Sequence, residues 1–142
     1  MVTAVGSGGT AAGLTLGLRL AGLRTRVVGV VVNDTLRLDD RAVVAPTDRA
    51  ESLLRRRGAN HPRTPFVPDA VTMVRDWLGP GYGHTTPAGV RAQRLASESG
   101  LTELDPVYTA KALAALLAMA ADGRLGTGPV LFLHTHGPRD AF

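Results

Sequence analysis

A short apolar stretch, Val2 to Val5, runs into Gly6-Ser7-Gly8-Gly9-Thr10 and then into a mostly apolar segment from Ala11 to Ala21 that stops at Gly22. That order predicts strand, glycine loop, helix. The next run, Val27 to Val32, is β-branched throughout except for Gly29, the pattern of a strand buried on both faces. Gly13 and Gly17 stand four apart on the intervening helix, and we expect them to let it approach the sheet closely.

Downstream, Asp48 with Glu51 three residues later predicts a capped helix start, and Gly58 its stop. Asn60 to Pro68 holds three prolines and reads as a loop, and Ala70 to Val74 as a strand. Thr86-Pro87 supplies an N-cap with proline at the first helical position, for a helix ending at Gly100. Asp105-Pro106 repeats the device for an alanine- and leucine-rich helix running to Asp122, with Gly123 behind it, and Pro129 to His134 is a last apolar strand. Strands alternating with helices predict an α/β fold, a mainly parallel sheet with flanking helices.

The 142 residues, 44% of them apolar, suffice for one domain with one core. Without cysteine, disulfide frameworks, cysteine zinc sites and thiol catalysis drop out. The first charged side chain is Arg19, and glycines interrupt the apolar start, so no secretory signal is expected. The longest apolar run, Ala112 to Ala121, is ten residues, too short for a bilayer. A soluble cytoplasmic location is the expectation, with no membrane partner.

The net charge of +4 and the pI near 10.6 raise the question of nucleic acid. Fifteen of the sixteen basic residues are arginines scattered through every segment, and the one run, Arg55 to Arg57, sits where cations offset a helix C-terminus. Aromatic residues for base stacking are almost absent, so no nucleic-acid partner is expected.

Gly6 to Thr10, between a strand and a helix N-terminus, makes an anion site: backbone N–H groups and the positive end of the helix dipole point at one spot, and the Ser7 and Thr10 hydroxyls can donate as well. Phosphate is the natural guest. Taken literally, the loop also satisfies G-x-G-x-x-A, and Asp34 follows the second strand where a ribose-binding acid would lie, so a nicotinamide-dinucleotide reading competes. A tight turn without a ligand is the third reading. In an open parallel sheet, residues leaving the last strand, His134-Thr135-His136-Gly137, should share an edge with the loop. Tyr108, expected in the first turn of its helix, sits where the dipole favours a developing phenolate.

Four motifs occur in one order: Gly6 to Leu14, Gly79-Pro80-Gly81-Tyr82-Gly83, Leu104 to Ala112, and Leu131 to Thr135. In that order and spacing the chain resembles the D-cysteine desulfhydrase and 1-aminocyclopropane-1-carboxylate deaminase family, pyridoxal-phosphate (PLP) enzymes with the tryptophan-synthase-β-like fold. The resemblance covers the whole chain, 1–142, but only the C-terminal part of a family member. It implies the large-domain part of a fold-type-II PLP enzyme. Gly6, Ser7, Gly8, Gly9 and Thr10 would hold the PLP phosphate, Thr135 would lie by the pyridine nitrogen, and Tyr82 and Tyr108 would be the active-site tyrosines. Thr109 stands where the deaminases carry a glutamate, which favours the desulfhydrase branch. Ala110 in place of glycine, His136 in place of glycine, and His84-Thr85-Thr86 after the Gly-Tyr-Gly loop depart from the family pattern.

Chemistry of this type needs a lysine for the Schiff base, and the family's precedes the glycine loop. The sole lysine here, Lys111, is expected to be solvated or ion-paired. The implied protein is therefore the C-terminal portion of a PLP-dependent lyase or deaminase converting a small amino acid to a 2-oxo acid and ammonia by α,β-elimination or ring opening. A catalytically incomplete fragment, or a phosphate- or nucleotide-binding module, is the alternative. A homo-oligomer or a complementing N-terminal segment is the expected partner, because a sheet beginning at Met1 and a helix bearing Leu14, Leu16, Leu18 and Leu20 look uncovered. His134 and His136 alternate, but no third ligand is placed, so no metal is expected. Trp77 reads as packing.

Overall fold

The computed structural model describes residues 1–63, 71–101 and 103–135. Among these residues four strands, β1 (Val2–Val5), β2 (Val27–Val31), β3 (Val71–Val74) and β4 (Phe132–Leu133), form one sheet in the order β3-β2-β1-β4. Every pairing is parallel: Val2 lies beside Val28 on one side and Phe132 on the other, and Val27 beside Val71. The α/β expectation holds.

Helices cover both faces. α1 (Gly9–Leu20) and α2 (Val44–Arg56) lie on one side, where Ala11 and Ala12 pack with Val5, Val27, Val31 and Val71. On the other side α4 (Thr109–Ala121) sets Ala112, Ala115 and Met119 against Val2, Ala4, Val30 and Val74. α3 (Pro87–Glu98) packs outside α4 through Ala92 and Ala96 against Ala110, Leu113 and Ala114. Small alanines bring these helices close. Trp77 packs between the α4-side clusters, with the Arg124 guanidinium 5.6 Å from its ring centroid. Among the described residues no helix is long and apolar enough to cross a membrane.

Several local expectations are corrected. α2 starts at Val44, not Asp48: Asp39 accepts the Ala42 N–H at 2.9 Å and caps a 3-10 turn, Asp40–Val43, that feeds directly into the helix. Pro46 then falls in the first turn, where a missing N–H costs nothing. Glu51 is buried in the interior of α2, away from the helix start, with its carboxylate 4.0 Å from His61 Nδ1. Arg55 and Arg56 do lie in the last turn of α2.

Gly13 and Gly17 face outward, and a Cβ on either would meet nothing within 4 Å. The sheet-facing residues are Ala11, Ala12, Thr15 and Leu16. Nor are the α1 leucines bare, since Leu16 is buried and Leu14 and Leu18 pack on the core. β4 is two residues long rather than the six from Pro129 to His134. Of the proline loop, residues 60–63 are described, and Ala70, ahead of β3, lies outside the described residues.

Candidate functional site

The strand order places the site. β1 leads through α1 to β2 on one side, while β4 arrives on the other, so the chain parts at the carboxyl ends of β1 and β4. Such a parting leaves a crevice into which loops and helix N-termini project. A cavity of about 330 Å³ lies there, lined by Gly6 to Ala11, Asn33, Tyr82, Tyr108 and Thr135 among others. Every expected site residue, Gly6, Ser7, Gly8, Gly9, Thr10, Tyr82, Tyr108 and Thr135, borders this one space. None of the described residues lining it carries a full charge.

β1 delivers the glycine loop. Gly8, at the N-cap of α1, has φ 89°, a left-handed turn that a side chain disfavours. No side chain caps α1 and its first turn holds no acid, which leaves the first N–H groups open to an acceptor. β4 delivers Thr135, because the pairing of Val2 with Phe132 and Thr3 with Leu133, carried on by two residues, sets Thr135 at the level of Val5, where the glycine loop begins.

Tyr108 comes from the start of α4. Asp105 accepts the Val107 and Tyr108 N–H groups, at 2.9 and 2.6 Å, and winds a separate turn, so the helix begins only at Thr109. Tyr108 is thus the N-cap residue rather than part of the first turn. Tyr82 belongs to the loop between β3 and α3. The two phenol oxygens lie 2.5 Å apart, with the rings edge to face at 6.0 Å between centroids. Either hydroxyl can donate to the other, so the pair can hold a proton between them.

Sequence reasoning missed three supports of this site. Asn33 Nδ2 donates to the Gly6 carbonyl at 3.0 Å, while Asn33 Oδ1 accepts from the Thr35 amide and hydroxyl, at 2.8 and 2.7 Å. A polar residue directly after a wholly apolar strand was the available signal. Asp34 accepts the Tyr82 N–H at 3.0 Å, which engages it with the tyrosine loop instead of leaving it for a ribose. Lys111 is neither solvated nor ion-paired: it is 0% exposed and donates to the carbonyls of Leu78 and Gly81, at 2.7 and 3.2 Å. Burial pushes its ammonium below the usual lysine range, with partial relief from the Asp34 carboxylate. Thr109 is buried, its hydroxyl 3.4 Å from the Asp105 carbonyl, and does not border the cavity. His134 stacks on Phe132, and His136 lies outside the described residues.

A family model described as pyridoxal-phosphate dependent enzyme matches residues 1–136. The chain belongs to that family. Among pyridoxal-phosphate dependent enzymes it is similar to the D-cysteine desulfhydrase of Serratia proteamaculans (strain 568), 35% identical over 139 residues, which are 96% of this chain and 39% of the relative. The D-cysteine desulfhydrase of Klebsiella pneumoniae (strain 342) is 35% identical over 138 residues, with the same coverage. A crystal structure of a homologue of 1-aminocyclopropane-1-carboxylate deaminase superposes with a TM-score of 0.62 at 30% identity, over 88% of this chain and 35% of that one. The chain thus spans about 39% of the length of the curated relatives it matches. Pyridoxal phosphate is the family's cofactor, and the residues fit it: an uncapped helix N-terminus without acids, reached through glycines, opens on a neutral cavity.

Proposed function

We propose that these residues form the phosphate-holding and proton-handling part of a PLP-dependent lyase or deaminase that acts on a small amino acid, D-cysteine-like or aminocyclopropane-carboxylate-like. The observation that carries this reading is the convergence of the glycine loop, the hydrogen-bonded Tyr82–Tyr108 pair and Thr135 on one cavity. The products would be a 2-oxo acid and ammonia, with sulfide in the thiol case.

When bound, pyridoxal phosphate supplies an electron sink for the amino acid's α-carbon. Gly6, Ser7, Gly8, Gly9 and Thr10 would hold its phosphate through backbone N–H groups, the two hydroxyls and the α1 dipole. Thr135 would meet the pyridine nitrogen with a neutral hydroxyl, which would leave the ring less electron-withdrawing than a carboxylate partner does. Tyr82 and Tyr108 face the substrate, and their shared hydrogen bond lets one phenol take or give a proton while the other stabilises the charge left behind. Lys111, committed to two backbone carbonyls, does not border the cavity. The lysine that this chemistry requires is therefore supplied from outside residues 1–142, by a preceding segment or a complementing chain, in an assembly of several copies.

The alternative is a binding module that takes a phosphate or a dinucleotide without turnover. Fluorescence titration separates the readings: PLP should bind in preference to NADH, and Asp34→Ala should not weaken NADH selectively. Pyruvate or 2-oxobutyrate release should appear only when a family-type N-terminal segment is added in trans. Preferential NADH binding, or turnover by the 142 residues alone, would overturn the proposal.

A further inference from the structure

A fully buried lysine needs a reason, because taking an ammonium out of water costs several kcal/mol unless hydrogen bonds and counter-charge replace its hydration. Lys111 is the largest of the fully buried side chains, and its neighbours Ala110, Ala112 and Leu113 are buried as well. For packing alone, a methionine or leucine would serve better. What the lysine adds is a pair of donors aimed at the backbone of a different element. Leu78 and Gly81, whose carbonyls it holds, flank the first half of the glycine loop that ends in Tyr82 and Gly83.

The same loop is gripped a second time. Asp34, just beyond β2, accepts the Tyr82 N–H, and its other oxygen lies so near Gly81 that a Cβ there would come within 3.0 Å. Lys111 and Asp34 thus grip the two ends of one peptide group, the Gly81 carbonyl and the Tyr82 N–H. Tyr108 is the N-cap residue of the same helix α4, three residues before Lys111. One helix therefore presents one phenol directly and fixes the backbone that presents the other.

We infer that Lys111 is a positioning residue: by holding the Leu78 and Gly81 carbonyls to α4 it sets Tyr82 against Tyr108. A 2.5 Å contact between two side chains from separate elements tolerates little slack, and two hydrogen bonds from a cation supply the stiffness. The catalytic meaning of the pair rests on the function proposed above, whereas the positional role does not.

The sequence holds two tyrosines and one lysine, so selective labelling gives unassisted assignments. In the 142-residue chain, ring-labelled tyrosines should show proton cross-relaxation between Tyr82 and Tyr108 by NMR. Lys111→Met, with its fold checked by circular dichroism, should lose that cross-peak, and Lys111→Arg, which keeps the donors, should retain it. An undiminished cross-peak in the methionine variant, or an arginine variant that behaves like it, overturns the inference. Should Lys111→Met not fold, Lys111→Cys offers a unique thiol in a chain without cysteine. Aminoethylation of that thiol in denaturant, followed by refolding, rebuilds an ammonium of nearly the original length. The cross-peak should return only with the aminoethyl group; its presence in the unalkylated protein, or its absence after alkylation, overturns the inference. None of these readings needs cofactor, so failure here is separate from failure to bind PLP.

Discussion

Gly6 lies against the ring of Tyr108: a Cβ built on this glycine would come within 2.8 Å of Tyr108 Cε1. The glycine loop and the tyrosine pair are therefore in contact, with no layer of side chains between them. Gly6→Ala must push the ring aside, and the ring is tethered through its hydroxyl to Tyr82. Overpacking of this kind costs about 1–3 kcal/mol. We expect Gly6→Ala to lower the urea midpoint and to weaken PLP binding by about tenfold, equivalent to 1.4 kcal/mol. Unchanged affinity by fluorescence titration would show that the ring moves freely.

Asn33 fixes the other side of the loop. Its removal strips the Gly6 carbonyl of a donor and the Thr35 amide of an acceptor, both in part-buried hydrogen bonds. Asn33→Ala should cost about 1 kcal/mol in urea unfolding, the net worth of an ordinary intramolecular hydrogen bond. PLP affinity should fall with it. A stable variant with weakened PLP binding would assign Asn33 to loop geometry alone, and a stable variant with normal binding would sink the prediction.

Thr86 caps α3 by accepting the Gly89 N–H at 3.0 Å. Thr86→Ala should destabilise by about 1 kcal/mol, as N-cap losses do, while Thr86→Ser should recover most of it. Equal midpoints for the alanine and serine variants would show that the methyl group, not the hydroxyl, matters.

The buried Lys111 has a pH consequence. Its pKa in the folded chain lies below the ordinary value of 10.5, so between the two values the unfolded chain binds more protons. Stability from this group therefore rises with pH across that window, is complete above 10.5, and is lost as pH falls through the folded value. Urea unfolding from pH 8 upward should show the unmodified chain gaining on Lys111→Met. A stability difference that stays flat, or shrinks, contradicts the assignment.

Much of the chain was readable locally. β1 coincides with the apolar run Val2–Val5, and α3 starts at the Thr86-Pro87 signal. The stops at Gly22, Gly58, Gly100 and Gly123 all have φ between 67° and 91°. Caps, proline positions and left-handed glycines act within one turn of chain, so the residues that encode them are adjacent in sequence. α2 escaped this reading because no side chain caps it: the helix grows out of a 3-10 turn that Asp39 caps, and the attractive Asp48–Glu51 pair falls inside the helix.

The motifs of the site were likewise legible, but their meeting was not. Gly6 and Thr135 become neighbours because β4 pairs with β1 on the side that β2 leaves free, and nothing short-range in the sequence states that order. Tyr82 reaches Tyr108 because Asp34 and Lys111, 48 and 30–33 residues away from their partners, hold the loop between them. Whether a lysine on an alanine-rich helix faces water or a buried carbonyl depends on what packs against it. The sequence alone determined the chemical groups and the turns that carry them; the tertiary structure decided which groups share a cavity and which charges leave water, because both depend on sheet order and on contacts between distant segments.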